Sequence, residues 1–500
     1  MSHQPPSTPT PPQRRPQQHR LFDLEPVPTL IRRMRAELGA DFSNQKPIRV
    51  SRAPGRLDVM GGIADYTGSL VCEMPLDRAA AVALQERDDR QVQVFSFNLL
   101  DEHQPFTLRI PIDALTSGSV DELSREFGEP GRKWAGYLVG CLFLLHERGL
   151  VNLRDVSTKG MNIALLSTVP LGAGVSSSAA IEVATMMNLI GHLALEDRVD
   201  AMSIAEMCQR VENQVVGAPC GIMDQVTSCA GEERKLLQLF CQPHEIRGYL
   251  PVPRGMRFVG INSNVKHSVG GGDYTRTRCA AFMAHRMILE TMRDIGKAAG
   301  RELQADPMHG YLANLDPEDY KRIFRQRLPE EMKGGEFLLK YGSTIDTATK
   351  VQPDLIYPVQ HAADHHVLEA RRVQNFVKYL QQADLEEDRT ARGPLLDRAG
   401  HLMYASHLSY TNDAMLGAPE CDLLVDLVRK RERAGLYGAK ITGGGSGGTV
   451  AVLLEDTPGA AAAVEEIMNI YQSQTGHAPE LFQGTSPGAW AVGSALLRRD

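Results

Sequence analysis

The chain has 500 residues, 42% of them hydrophobic and 23% charged, with a formal net charge of −7. That length supports two or three domains and a large core, and the acidic balance argues against a nucleic-acid footprint, which shows as basic clustering. No apolar run approaches the roughly 18 residues that cross a bilayer and no charged-then-apolar leader opens the chain, while eight scattered cysteines with no Cys-x-x-Cys pair read as reduced cytoplasmic thiols, neither disulfides nor zinc ligands.

Residues 1–20, rich in Pro, Gln, Ser and Thr, are predicted to be a disordered tail. Ile48–Ala53 reads as a strand running into the glycine-rich stretch Gly55–Tyr66. There Arg56, Asp58, Asp65 and Tyr66 crowd around Gly61 and Gly62. Hydrogen-bonding side chains between permissive glycines suit a polyhydroxylated ligand, although this loop taken alone fits a tight turn with a surface ion pair better. Leu70–Pro75, Ala80–Gln85 and Val92–Asn98 are predicted strands, and Trp134–His146 a helix.

Met161–Leu166 is a strand that feeds a second glycine-rich stretch, Pro170–Ala180. Beyond it Ala179, Val183, Met186, Met187 and Ile190 recur at helical spacing. Strand, glycine loop and helix follow one another, with Ser176, Ser177 and Ser178 where cap and first-turn residues belong. Gly172, Ala173, Gly174 and these serines therefore offer free amides at the positive end of a helix dipole, an anion site. The loop is not a Walker loop, because the Gly-Lys-Ser/Thr ending is absent, nor a dinucleotide fingerprint. A Gly/Ser-rich helix cap without a ligand explains it equally well on its own.

A further helix around Met202–Val216 carries the stripe Ile204, Met207, Cys208, Val211 and Val215, with Glu212 on its flank. Asp224, twelve residues later, stands among Pro219, Cys220, Ile222 and Met223, where an unpaired charge is costly. A cation must compensate it, and Arg56 is the best candidate. A surface glutamate and a helix-capping aspartate are the simpler alternatives.

Phe258–Ser263 reads as a strand and Cys279–Gly296 as a helix, followed by a charged, irregular stretch to Ile356. Helices are predicted at His366–Leu380 and Cys421–Ala434, with the histidines of His361–His366 read as a helix start in preference to a metal cage. A strand (Leu436–Thr442), the third glycine loop (Thr442–Gly448), a strand (Thr449–Leu454) and a helix (Gly459–Tyr471) close the chain. Strands and helices without strict alternation predict α+β layers, divided into a tail (1–20) and two lobes (21–250 and 251–500).

These three glycine-rich stretches, in this order, resemble the GHMP small-molecule kinases, most closely the galactokinase branch. Gly55–Tyr66 is similar to that branch's signature Gly-Arg-x-Asn-x-Ile-Gly-Glu-His-x-Asp-Tyr, and Pro219–Gln225 to its catalytic segment. Asn262–Ser268 with Tyr274 and Arg278, His366–Val373, and Thr442–Gly448 complete the set, so the resemblance runs from Ile48 to the C-terminus. It implies a two-lobed fold, with an N-terminal S5-like α/β lobe and a C-terminal ferredoxin-like α+β lobe. It implies ATP and Mg²⁺, with Asp224 as the catalytic aspartate facing an anomeric hydroxyl and Arg56 keeping it ionised. Glu212 and one serine of the triple, Ser178, would be the magnesium ligands. Gly172, Ala173, Gly174, Ser176, Ser177 and Ser178 would cradle the phosphates. Asp65, Gly62, Ile63, Gly221 and Tyr274 would meet the sugar, with Gly444 and Gly445 closing beside the transferred group.

One departure bears on the substrate. The branch carries Glu-His where this chain has Gly62-Ile63, a pair that in the branch contacts hydroxyls far from the anomeric carbon, including the exocyclic one. An apolar wall there leaves a hydroxymethyl oxygen unpaired, at a cost of roughly 1–3 kcal/mol. L-Arabinose has galactose's ring stereochemistry without that group and is the expected substrate. D-Galactose is the alternative, a non-catalytic sugar sensor the second, and the Pro219–Gln225 segment disfavours a mevalonate- or homoserine-type acceptor. Plant-type members of the branch carry the kinase behind a glycosyltransferase-like domain; here only the tail precedes it, so a stand-alone kinase is expected. The expected partner is a small-molecule sugar, with no nucleic acid and no membrane, and monomer and homodimer stay equally open.

Overall fold

The structure is a computed structural model that describes residues 18–117, 119–266 and 272–497. Most of the expected disordered tail lies outside the described residues, as do residues 267–271, with His267 and Ser268 of the Asn262–Ser268 block among them.

Two sheets organise the chain. The larger has eight strands, in the order Ser494–Leu496, Arg49–Met60, Leu70–Glu86, Met161–Ser167, Gln91–Ser96 and Thr107–Pro111. Lys235–Phe240 and Glu245–Pro251 are attached beside Leu70–Glu86. Every pairing is antiparallel except that of Gln91–Ser96 with Met161–Ser167. Helices Lys133–Glu147, Ser177–His192, Ala201–Arg210 and Met223–Ala230 pack together and against the two central strands. The smaller sheet is antiparallel throughout, in the order Leu436–Ile441, Gly447–Glu455, Met256–Lys266 and Glu480–Phe482. Helices Arg389–Asn412 and Pro419–Arg429 pack on its edge strand, and Val359–Leu385 lies along Arg389–Asn412. Mixed helix and sheet in two layered bodies is the α+β class read from the sequence.

Several elements differ from the sequence reading. Leu70–Glu86 is one strand of 17 residues, where two were expected around Pro75. Proline is tolerated because Met74–Ala79 lies between the stretch paired with Lys235–Phe240 and the stretch paired with Met161–Ser167, so the missing N–H faces no ladder partner on that side. The helix expected to Val216 ends as an α-helix at Arg210 and continues as the wide π turn Val211–Val216. Helix Arg389–Asn412 has no counterpart among the predicted elements, and it runs on past Pro394 in its second turn. The charged stretch before Ile356 is anchored by buried aromatic residues, Tyr320, Phe324, Phe337 and Tyr357.

Local chemistry explains where elements begin. Helix Pro458–Thr475 starts with proline in its first turn, and the Thr457 hydroxyl accepts the Ala460 N–H. Ser119 and Glu122 form a reciprocal capping box ahead of Val120–Gly128.

Candidate active site

Strand Arg49–Met60 carries Arg56 into the interior, where it reaches two segments. Its Nε and Nη2 lie 2.9 and 2.7 Å from Asp224 Oδ1. Its Nη1 donates to the Gly174 carbonyl at 2.6 Å, and its backbone N–H to Val175 O at 3.1 Å. A single arginine thus joins the second glycine loop to the aspartate. Burial opposes the guanidinium charge, but the Asp224 and Glu73 carboxyls beside it raise its pKa further, so it stays protonated. Asp224 opens helix Met223–Ala230 and keeps a fifth of its side chain exposed. The cationic partner required for Asp224 is therefore present, and it is Arg56.

The π turn presents Glu212 to the same region. Gln225 donates to Glu212 Oε2 at 2.8 Å and to Glu182 Oε2 at 3.3 Å, and the Ser178 hydroxyl also bonds Glu212. Burial, and then the charge of Asp224, push the Glu212 carboxyl up to about 7. Glu182, fully buried on helix Ser177–His192, is likewise raised well above the usual carboxylate range by burial and by Glu212. The amino end of that helix, with its unpaired first-turn amides, therefore lies beside Glu212. Ser176 precedes it in the left-handed region at φ +61°, and its hydroxyl finds no partner among the described residues.

This donor set fits a divalent cation that arrives already carrying phosphates. Among the described residues no group of three or more His, Cys, Asp or Glu side chains could hold a metal on its own. Magnesium commonly takes one or two carboxylates and completes its shell with phosphate oxygens and water. Glu212 with Ser178 supplies that minimum, and a cation there would favour the ionised carboxylate that burial disfavours.

A cavity of about 350 Å³ opens next to these groups, and its lining includes Arg56, Asp224, Glu212, Ile63, Asp65, Gly221, Tyr274 and Gly444. The Asp65 carboxyl is pushed up to about 7 by burial and by Asp224. Its Oδ1 accepts the Tyr66 N–H at 2.7 Å. A Cβ on Gly221 would overlap the Asp65 carboxylate, so only glycine allows the two segments to meet. Arg278 stacks over the Tyr66 ring at 4.9 Å and donates to the Cys220 carbonyl at 3.1 Å. Asp346 holds it from behind at 2.8 Å, which ties the charged stretch before Ile356 to the cavity wall.

The structure thus gathers Arg56, Asp224, Glu212, Asp65, Ile63, Gly221, Tyr274 and Gly444 around one space. Gly62 and Gly445 are not among the lining residues: Gly62 backs onto Tyr410, and Gly445 onto Leu416. The phosphate-loop residues Gly172–Ser178 also stand outside the lining, joined to it through Arg56 and Glu212. His365 and His366 lie well inside helix Val359–Leu385, which starts seven residues before the helix start expected at His366. Tyr66 Oη and Thr67 Oγ1 bond the His366 ring nitrogens, each at 3.0 Å, and burial with nearby Arg278 lowers its pKa to about 3.

Sequence reasoning missed the partners of Asp58. Lys440 Nζ lies 2.6 Å from Asp58 Oδ2, and neither side chain is exposed. The signal was a lysine in the otherwise apolar strand Leu436–Ile441, but nothing in the sequence pairs it with a residue 382 positions away. Asp58 also accepts the Gly62 and Gly443 N–H groups at 3.0 and 3.1 Å. Tyr410, Gln225 and Glu182 were missed as well: Tyr410 falls where no element is predicted, Gln225 in the loop expected after Val216, and Glu182 reads as ordinary helix interior.

Comparison with known proteins matches residues 39–86 to the galactokinase galactose-binding signature, 137–232 to the GHMP kinases N-terminal domain and 392–473 to the GHMP kinases C-terminal domain. The chain is 36% identical to L-arabinokinase of Arabidopsis thaliana over 93% of its own length, and spans 48% of that longer protein. It is 30% identical to the galactokinase of Chloroflexus aggregans, covering 83% of this chain and 86% of that protein. Its fold is similar to that of Lactococcus lactis galactokinase complexed with galactose, with a TM-score of 0.69 and 21% identity over 93% of this chain and 100% of that one. No helix among the described residues is long and apolar enough to cross a membrane. The chain belongs to the galactokinase branch of the GHMP kinases, a family of phosphotransferases that act on alcohol acceptors.

Proposed function

We propose that the chain is a cytoplasmic sugar 1-kinase that transfers the γ-phosphoryl group of ATP to the anomeric hydroxyl of L-arabinose, giving L-arabinose 1-phosphate and ADP. The observation that carries this reading is Ile63, an apolar residue that lines the cavity together with Asp65. The 36% identity to a protein named L-arabinokinase supports it.

ATP phosphates fit the amides of Gly172–Gly174 and the first turn of helix Ser177–His192. Mg²⁺ would be held by Glu212 and Ser178 and would supply neutralisation of the phosphate oxygens. Asp65, Gly221 and Tyr274 offer polar contacts to ring hydroxyls. Asp224 accepts a hydrogen bond from the anomeric O–H and receives its proton. The sugar oxygen bonds to the γ-phosphorus as the bridging oxygen leaves with ADP. Arg56 orients Asp224 through Nε and Nη2 and lies against the glycine loop, where charge builds up on the transferred group. Because that transition state is loose, positioning and charge neutralisation provide most of the acceleration.

D-Galactose is the second reading, favoured by the match of residues 39–86 to the galactose-binding signature. An ADP-release screen over L-arabinose, D-galactose, L-fucose, galacturonate and glucuronate tests both. L-Arabinose is expected to give the highest rate; turnover confined to D-galactose would replace this reading with the second, and no ADP release on any sugar would refute both.

A further inference from the structure

Gly62 opens the 3-10 turn Gly62–Thr67 at φ +46°, a left-handed conformation that favours glycine. Space forbids a side chain there even more firmly. A Cβ at this position would overlap the hydroxyl oxygen of Tyr410 and come within 2.9 Å of Tyr410 Cζ and of Asp58 Oδ2.

Tyr410, on helix Arg389–Asn412, has no room to withdraw. It is fully buried, its ring stands edge-on to His365 at 5.0 Å between centroids, and Lys440 Nζ lies 5.2 Å from its ring centroid. Its hydroxyl donates to the Gly443 carbonyl and accepts the Ile63 N–H, both at 2.9 Å. Asp58 makes the matching pair of bonds to the Gly62 and Gly443 amides. Two side chains thus fasten the turn to the third glycine loop, and Ile63, Gly443 and Gly444 together line the cavity.

We infer that Tyr410 is a specificity-determining positioning residue: its hydroxyl fills the space a side chain at position 62 would need and fixes Ile63 as the wall facing the sugar. This deepens the pentose reading above and rests on it for the direction of the preference. The phenol's one proton is committed to Gly443, so Tyr410 offers the ligand no donor. Hydrocarbon from Ile63 is what a hydroxymethyl group would meet.

The test is a double-mutant cycle of the full chain with Gly62→Ala and Tyr410→Phe, the latter keeping the ring's packing while deleting the oxygen. Gly62→Ala alone is expected to lower kcat/KM for L-arabinose about tenfold or more and to reduce the melting temperature, and the double variant to recover part of both losses, the remainder being the left-handed backbone and the contacts with the ring and Asp58 that Tyr410→Phe leaves in place. Tyr410→Phe alone is expected to raise KM for L-arabinose about three- to tenfold with kcat within about twofold, and to shift the galactose-to-arabinose ratio of kcat/KM towards galactose by a similar factor. Additive effects, or a Tyr410→Phe protein with the parent's KM and sugar ratio, would overturn the proposal. If Gly62→Ala folds only together with Tyr410→Phe, that is the coupling at its largest and supports it; if neither folds, the hydroxyl is not the obstacle and it fails. Coupling in melting temperature needs no sugar, so a parent enzyme that prefers galactose would sink the pentose reading while leaving this cycle decisive.

Discussion

Arg56 holds Asp224 by one carboxylate oxygen, with Nε at 2.9 Å and Nη2 at 2.7 Å from Oδ1. The other oxygen is thereby left for a ligand in the cavity that both residues line. This one-sided grip suits the proton acceptor that Asp224 is proposed to be.

Asp224→Asn keeps the shape of the side chain and removes its charge and its proton acceptor. Turnover is expected to fall by about 10²–10⁴-fold, while sugar binding followed by thermal shift survives. Near-parent turnover would remove Asp224 from the mechanism.

Arg56→Met leaves Asp224 without its cation and the Gly174 carbonyl without its donor. Both kcat and the melting temperature are expected to drop, since removing one partner of a buried pair costs about 3–5 kcal/mol, less here because Asp224 is partly exposed. Steady-state ADP release together with calorimetry checks this, and an unchanged kcat would count against the role given to Arg56.

The Asp65 and Glu212 carboxyls, both near 7 in the folded protein, ionise around 4 in an unfolded chain. Between those values the folded state holds the extra protons, so the stability these groups contribute is fully present below about pH 4 and is lost as pH rises through 7. The unliganded protein is therefore expected to melt lower at pH 8 than at pH 6. Glu212→Gln, which cannot ionise, should flatten part of that slope. Affinity for Mg²⁺ is expected to strengthen over the same window in the parent and to show no such gain in the variant. A parent melting temperature that climbs from pH 6 to pH 8 would contradict the raised values.

Lys440→Met strands the Asp58 carboxylate in a site with no exposure. The expected loss is about 3–5 kcal/mol in chemical unfolding. Pairing it with Asp58→Asn, which removes the stranded charge, should restore a good part of the loss. Equal losses in the single and double variants would show that the ion pair matters little.

Much of this arrangement was legible in the sequence where chemistry is local. Asp224 sits in an apolar segment that demanded a cation, and Arg56 supplies it. The strand–loop–helix unit around Gly172–Ser178 followed from period and glycine placement, and Ser178 does meet Glu212. What stayed hidden depends on contacts between distant segments. Tyr410 stands in a stretch with no predicted element, and its meaning appears only where its hydroxyl meets Gly62, 348 positions earlier. The Gln225 amide bridging two buried carboxyls, and the anchoring of Arg278 by Asp346, are equally invisible to periodicity. Helix Arg389–Asn412 is not legible because Pro394 is its sixth residue, past the first turn where proline is ordinarily accepted, and the helix nevertheless continues to Asn412.

The most direct test of the account is kcat/KM for L-arabinose and D-galactose measured side by side on the purified protein under saturating Mg²⁺–ATP. A hydroxymethyl group left unpaired against Ile63 predicts a preference for the pentose of about tenfold or more; equal values, or a preference for the hexose, would contradict it.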